Sequence, residues 1–250
     1  MLIYDEDQLR FFYEEFFSDL QNDEVGFVSL SARKKYLSEE IRKEVGLKRT
    51  EMFQRRIFRN YNEFYSNLRQ YEACIAASVY YTNKEGKNEE PKTPIPSECI
   101  VCYVNINPCS MIEATSNFTM DYLSQLKPAL KGGVDRKQYQ SLLSKFHNKI
   151  QTSRSRKNWI DVDFDTQDKS IVNEFIAHLI SMDTFHYLLI KTAGGWHVLL
   201  FRDMIGGDFH SKVVELDKKA QETGGEVKIN KNAMIPVPGT LQAGKKVSIV

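Results

Sequence analysis

The alternation of hydrophobic and polar positions changes period along the chain, and each change marks an element. From Asp5 to Leu20 the residues Phe11, Phe12, Phe16 and Phe17 cluster at helical spacing, which predicts an aromatic-rich helix. Gly26-Phe27-Val28-Ser29-Leu30 reads as a strand. Cations from Arg33 to Arg59 then interleave with Glu39, Glu40, Glu44 and Glu51. That pattern fits solvated helices with i,i+4 pairing, and equally a surface that contacts phosphates. Asn83 to Pro96 has the Gly, Pro and charge content of an exposed loop. A strand at Cys99–Ile106, a helix from about Ser110 to Leu126, a break at Lys131-Gly132-Gly133 and a helix over Arg136–Thr152 follow.

From Asn158 onward the periods alternate regularly. A strand at Asn158–Asp165 precedes a helix at Lys169–Met182, with Asp168 as its N-cap. Strand Phe185–Lys191 turns through Ala193-Gly194-Gly195 into strand Trp196–Phe201. A helix at about Asp208–Thr223, after Gly206-Gly207, leads to a strand at Glu226–Ile229. The order β-α-β-β-α-β is the split βαβ arrangement of ferredoxin-like and RRM-like sheets. The fold class expected is therefore α+β, with an N-terminal α/β module over residues 1–157 and the βαββαβ unit over 158–250. In that topology the first and third strands are central antiparallel neighbours.

The first of those strands carries the chemistry. In Trp159-Ile160-Asp161-Val162-Asp163-Phe164-Asp165, successive side chains take opposite faces. Asp161, Asp163 and Asp165 thus share one face, and Ile160, Val162 and Phe164 the other. Carboxylates side by side on a rigid strand repel unless a cation sits between them, and hard Mg²⁺ or Mn²⁺ prefers such oxygen ligands. The competing reading is an acidic strand end running into a turn. The expected topology also brings His197, at the start of the third strand, near Asp161 and Asp163. Thr192-Ala193-Gly194-Gly195-Trp196-His197 suits phosphate binding, because glycines admit backbone N–H groups while hydroxyl and imidazole donate. A tight hairpin would need the same glycines.

Composition narrows the partners little. The chain has 250 residues, 42% hydrophobic and 27% charged, enough for a substantial core. Its formal net charge of +1 gives no global field for nucleic acid. Met1 is followed closely by Asp5, Glu6 and Asp7, unlike a secretory signal, and no run of about 18 apolar residues occurs. The expectation is a soluble intracellular protein without a membrane partner. Cys99 and Cys102 have C-x-x-C spacing but lie in an apolar strand-like run, and no second pair follows, so free thiols are expected in a reducing compartment. Asp161-x-Asp163-x-Asp165 is no EF-hand, since Thr166 and Val172 stand where glycine and glutamate belong. A plain RRM would place stacking aromatics, not carboxylates, on its central strands. A metal-dependent nuclease stays open, because two carboxylates and a histidine also serve phosphodiester hydrolysis.

Taken together, Asn158 to Thr240 resembles the catalytic core of the archaeo-eukaryotic primase superfamily, the primase-polymerases of phages, plasmids and cellular replication. The Asp-x-Asp motif is matched by Trp159-Ile160-Asp161-Val162-Asp163, and the glycine–histidine motif by Thr192-Ala193-Gly194-Gly195-Trp196-His197-Val198-Leu199. A Pro-Gly-Thr element is matched by Ile235-Pro236-Val237-Pro238-Gly239-Thr240. Upstream, Leu30-Ser31-Ala32-Arg33-Lys34-Lys35-Tyr36 and Tyr103-Val104-Asn105-Ile106-Asn107-Pro108 are similar to the N-terminal module of such proteins.

The resemblance implies an RRM-like palm and nucleotidyl transfer onto a DNA template or primer, in the cytoplasm of a bacterial or phage-infected cell. Asp161 and Asp163, with Asp165 as second choice, would hold Mg²⁺ or Mn²⁺. His197, Thr192 and the Gly194–Gly195 backbone, supported by Lys191, would hold a nucleoside triphosphate. Arg33, Lys34 and Lys35, joined by Arg154, Arg156 and Lys157, would contact nucleic-acid phosphates. No phosphate loop of the form G-x-x-x-x-G-K-[ST] occurs, so a separate helicase is the expected partner. One departure stands out: the third metal-binding aspartate of the family is missing from Glu226–Met234. Asn230 or Glu226 is the candidate replacement, and a degenerate, binding-only member of the family is the alternative.

Overall fold

The computed structural model describes residues 2–44, 50–77, 81–82, 93–132, 142–182, 186–205, 208–228 and 233–250. Helix α1 (Glu6–Phe17) starts at Asp5, whose side chain accepts from the Gln8 N–H. Strand β1 (Glu24–Arg33), helix α2 (Glu39–Glu44), strand β2 (Thr50–Phe58) and helix α3 (Tyr61–Ala76) follow. The short pair β3 (Tyr81–Thr82) and β4 (Thr93–Pro94) precedes β5 (Ile100–Asn105), β6 (Cys109–Ser110), α4 (Met111–Gly132) and α5 (Leu142–Thr152). The second half runs β7 (Trp159–Phe164), α6 (Lys169–Ser181), β8 (Tyr187–Lys191), β9 (Trp196–Phe201), α7 (Phe209–Glu222) and β10 (Gly225–Lys228). Four short strands follow: β11 (Met234–Pro236), β12 (Leu241–Gln242), β13 (Lys245–Lys246) and β14 (Ser248–Ile249).

The fold is mixed α+β with antiparallel sheets. One sheet has the order β11-β5-β1-β2, with β6 also paired to β1. The other has the order β10-β7-β9-β8-β14, so the first and third strands of the second half are central neighbours and antiparallel. Among the described residues no helix is long and apolar enough to cross a membrane. All four cysteines are free, with Cys99, Cys102 and Cys109 buried and Cys74 half-buried.

The basic stretch departs from the helices its charge spacing predicts. Among its described residues only Glu39–Glu44 is α-helical; Thr50–Phe58 is a strand paired along β1, from Gly26 opposite Phe58 to Arg33 opposite Thr50. Its charged residues mimic helical i,i+4 spacing, yet sheet pairing decides the local structure. Lys48, Arg49 and most of the loop expected at 83–96 lie outside the described residues, as do Gly133, Arg136 to Gln140 and Gly206-Gly207.

Two cores sandwich the second sheet. Ile160, Val162 and Phe164 pack with Val172, Phe175 and Leu179 of α6 and Val213 and Leu216 of α7. The opposite face contributes Trp159, Ile190 and Leu199 to the large aromatic core built on α1, α3 and the first sheet. Phe16 stacks on Trp159 at 4.4 Å between ring centroids. Asn107 fixes the start of β7: its Oδ1 accepts from the Trp159 N–H at 2.8 Å and its Nδ2 donates to the Trp159 carbonyl at 2.9 Å, both buried. The last strands belong to both halves, since β11 joins the first sheet and β14 the second. Gly239 is the joint. Its φ of +82° needs glycine, its carbonyl accepts from the Tyr4 N–H at 2.9 Å, and a Cβ there would stand 2.4 Å from the Asp5 carbonyl oxygen.

Candidate active site

The alternation of β7 sets a gradient of burial. Asp161 lies on the face that meets the aromatic core and is 0% exposed, the Asp163 side chain is 23% exposed, and that of Asp165 is 83% exposed. The three carboxylates expected on one face thus run from the interior to solvent.

His197 on β9 lies directly across from Asp163. Its Nδ1 donates to Asp161 Oδ1 at 2.8 Å and stands 3.7 Å from Asp163 Oδ1. A carboxylate can only accept, so this contact fixes the proton on Nδ1 and leaves Nε2 as the second ring nitrogen. Burial pulls the imidazole pKa down, but Asp161, through charge and hydrogen bond, and then Asp163 outweigh it and raise the value.

Lys228, which no sequence motif singled out, completes the group. It stands opposite Asp161 in the register of β10 and β7. Its ammonium is hydrogen-bonded to Asp163 Oδ2 and lies 3.9 Å from Asp161 Oδ2. Burial works against that ammonium, yet the two aspartates raise its pKa. Asp161 Oδ2 itself is buried without a hydrogen-bond partner.

The turn before β9 closes this group on one side. The Thr192 hydroxyl is bonded within the turn, donating to the Gly195 carbonyl and accepting from the Gly195 N–H, each at 3.1 Å. A Cβ on Gly195 would lie 1.9 Å from the Phe164 carbonyl oxygen, so β7 and this turn meet only because the residue is glycine. Gly194 has more room, its nearest neighbour being Lys35 Nζ at 3.5 Å from the position of a Cβ. Gln242 ties the turn to the N-terminal half: its Oε1 accepts from the Ala193 N–H and its Nε2 donates to the Tyr36 hydroxyl, both at 2.8 Å.

The N-terminal half supplies the facing wall. Arg33, Lys35, Tyr36 and Tyr103 line a cleft of about 150 Å³ together with Asp163, Asp165, Thr192, Gly194, Gly195, His197 and Lys228. Arg33 Nη1 donates to the Tyr103 hydroxyl at 2.7 Å, while its Nε is buried without a partner. Burial pushes the Tyr36 and Tyr103 phenols up, so both serve as neutral hydroxyls. Lys35 Nζ stands 4.0 Å from Asp165 Oδ1 at the mouth.

Other expected residues fall elsewhere. Lys191 is exposed, with its ammonium 5.4 Å from the Trp196 ring centroid, and it does not line the cleft. Arg156 is committed to Glu24 and Asp19 at 2.7–2.8 Å. Arg154 pairs with Cys109 through an isolated β-bridge beside β6. Lys34 sits in the short turn Lys34–Tyr36, and Lys157 is exposed. Glu226 is exposed and opposite Asp163 in the β10 register. Asn230 lies outside the described residues.

Among the described residues no group of three or more His, Cys, Asp or Glu is arranged to hold a metal ion. The donor chemistry nevertheless fits a hard divalent ion, because Asp161 Oδ2 is buried and unpartnered beside a second carboxylate. The Lys228 ammonium is hydrogen-bonded to Asp163 Oδ2 and stands 3.9 Å from Asp161 Oδ2. No family model, curated protein or solved structure matches the chain. The arrangement joins an acidic floor, a histidine and a basic wall, which suits an anionic ligand bound together with a cation.

Proposed function

We propose that the chain is a template-dependent DNA primase-polymerase whose palm is the RRM-like unit β7–β10. The observation that carries this reading is the convergence of Asp161, Asp163 and His197 on one sheet face beneath the Arg33–Lys35 wall. The strand order β10-β7-β9-β8 supports the split βαβ palm, being fourth-first-third-second in chain order.

Asp161 and Asp163, with Asp165 at the mouth, would hold the divalent ion. When bound, Mg²⁺ or Mn²⁺ supplies charge neutralisation for a triphosphate and its attacking hydroxyl. The chain's own residues bind and orient. His197 offers Nε2 to phosphate oxygens while Asp161 holds its ring. Gly194 leaves room for close approach of a ligand to the backbone, and the unpartnered Arg33 Nε offers a further donor. The 3′-hydroxyl oxygen of the strand would bond to the α-phosphorus as the bond from that phosphorus to the α–β bridging oxygen breaks, with pyrophosphate leaving and the hydroxyl proton passing to water. Template and primer phosphates would run along Lys34 and Lys35, with unwinding left to a separate helicase.

A second reading has its own support. The hydrogen bond from Lys228 already neutralises Asp163, as expected of a degenerate scaffold that binds nucleic acid without catalysis. The test is a template-dependent assay with both nucleotide types, with and without primer, in Mg²⁺ and in Mn²⁺. Product in any lane supports the enzyme; binding with every lane blank supports the scaffold.

A further inference from the structure

Lys228 is placed by sheet register rather than by a flexible loop. It faces Asp161 across the β10–β7 ladder, and its ammonium reaches both carboxylates, 3.9 Å from Asp161 Oδ2 and hydrogen-bonded to Asp163 Oδ2. Its side chain is only 21% exposed, so water screens these contacts weakly. The unpartnered oxygen of the floor, Asp161 Oδ2, belongs to the same group. A divalent cation held by the two carboxylates would compete with the ammonium for the same oxygens, and like charges at such close range repel strongly even at the effective dielectric near a protein surface. Ammonium and metal cannot both sit between Asp161 and Asp163.

We propose that Lys228 is a built-in counter-cation that competes with divalent metal for the Asp161–Asp163 pair and so sets how tightly this chain holds the metal. The inference rests on the metal-dependent reading above. It gives that site a property of its own: free metal is held weakly, and the carboxylates stay paired until the ammonium is displaced. A third aspartate would add attraction for metal; the lysine subtracts from it.

The experiment is a Mn²⁺ titration of the full chain without nucleotide, following free Mn²⁺ by electron paramagnetic resonance. Lys228→Met should bind Mn²⁺ at least about tenfold more tightly than wild type, because one competing charge is gone. Lys228→Arg keeps the cation and should stay close to wild type. Lys228→Met combined with Asp163→Asn should lose the gain. Circular dichroism checks that each variant is folded, and Lys228→Gln replaces the methionine variant if that one is not. Equal Mn²⁺ affinity in wild type and the neutral variants, abolished by Asp163→Asn, would overturn the role of Lys228 while leaving the metal reading intact. No Mn²⁺ binding in any variant would overturn both.

Discussion

His197 and Asp161 lie 36 residues apart in sequence and are joined by a buried 2.8 Å hydrogen bond between Nδ1 and Oδ1. The bond holds the imidazole in one orientation and gives a fully buried carboxylate its hydrogen-bonded partner. His197→Ala should therefore act twice. It should destabilise the fold by about 2–3 kcal/mol, because Asp161 loses its charge-assisted bond in a buried setting. It should also weaken nucleoside triphosphate binding about tenfold or more, since a phosphate donor is removed. Urea unfolding and calorimetric titration measure the two separately. Unchanged triphosphate affinity in a folded His197→Ala variant would reduce the residue to a structural role.

Glu24 and Arg156 give the acid dependence of stability. Burial favours the neutral form of Glu24, but the Arg156 hydrogen bond, the Gln21 N–H and the Arg156 charge together hold its carboxyl below the ordinary 4.5. A depressed carboxylate contributes stability that is present above the unfolded value and lost as pH falls through the folded one. Glu24→Gln should thus flatten the stability curve below about pH 4.5. Arg156→Ala should cost about 2–3 kcal/mol at pH 7, below a fully dry pair because the arginine is one-third exposed. Unfolding midpoints across the acid range up to neutrality read both; an identical acid limb in Glu24→Gln would contradict the assignment.

The glycine pair separates architecture from binding. Gly195→Ala should destabilise by about 1–3 kcal/mol or more, since its Cβ would collide with the Phe164 backbone. Gly194→Ala meets nothing closer than 3.5 Å and should leave the unfolding midpoint nearly unchanged, while crowding a ligand in the cleft. Equal effects of the two substitutions on stability would contradict this geometry.

Nucleic-acid binding should fall steeply with salt. With Arg156 paired to two acids, Lys35 of the cleft wall and its neighbour Lys34 would carry the phosphate contacts of the proposed track. Neutralising Lys34 and Lys35 should reduce the salt slope by about 0.7–0.9 for each phosphate they neutralise in the wild type. An unchanged slope would remove this edge from the track.

The second half was legible in the sequence because several signals agreed there. Period-two alternation located β7, and Asp168 caps α6 as expected, accepting from the Ser170 N–H. The meeting of Asp161, Asp163 and His197 followed from strand order alone. Strand β2 was not legible, because its charges imitate helical pairing while the strand it pairs with is distant in sequence. Strands β11 and β14 are three and two residues long and carry no readable period. Asn107, Gln242 and Lys228 act through contacts with residues 52, 206 and 65 positions away, and no local motif encodes such contacts. Asn107 is testable on its own: Asn107→Ala strips both bonds from buried Trp159 backbone and should cost about 2–4 kcal/mol. A urea unfolding midpoint equal to that of wild type would show that the Trp159 backbone finds its partners elsewhere.

The most direct test of the central claim compares wild type with Asp161→Asn in one primer-extension experiment containing template, nucleotides and Mn²⁺. Asparagine keeps the size of the side chain and an acceptor for His197 while removing the buried charge. Extension by the wild type, with a rate at least about a hundredfold lower in a folded Asp161→Asn variant, is the expected result. Extension at the wild-type rate by Asp161→Asn, or none by wild type in Mn²⁺, would contradict it.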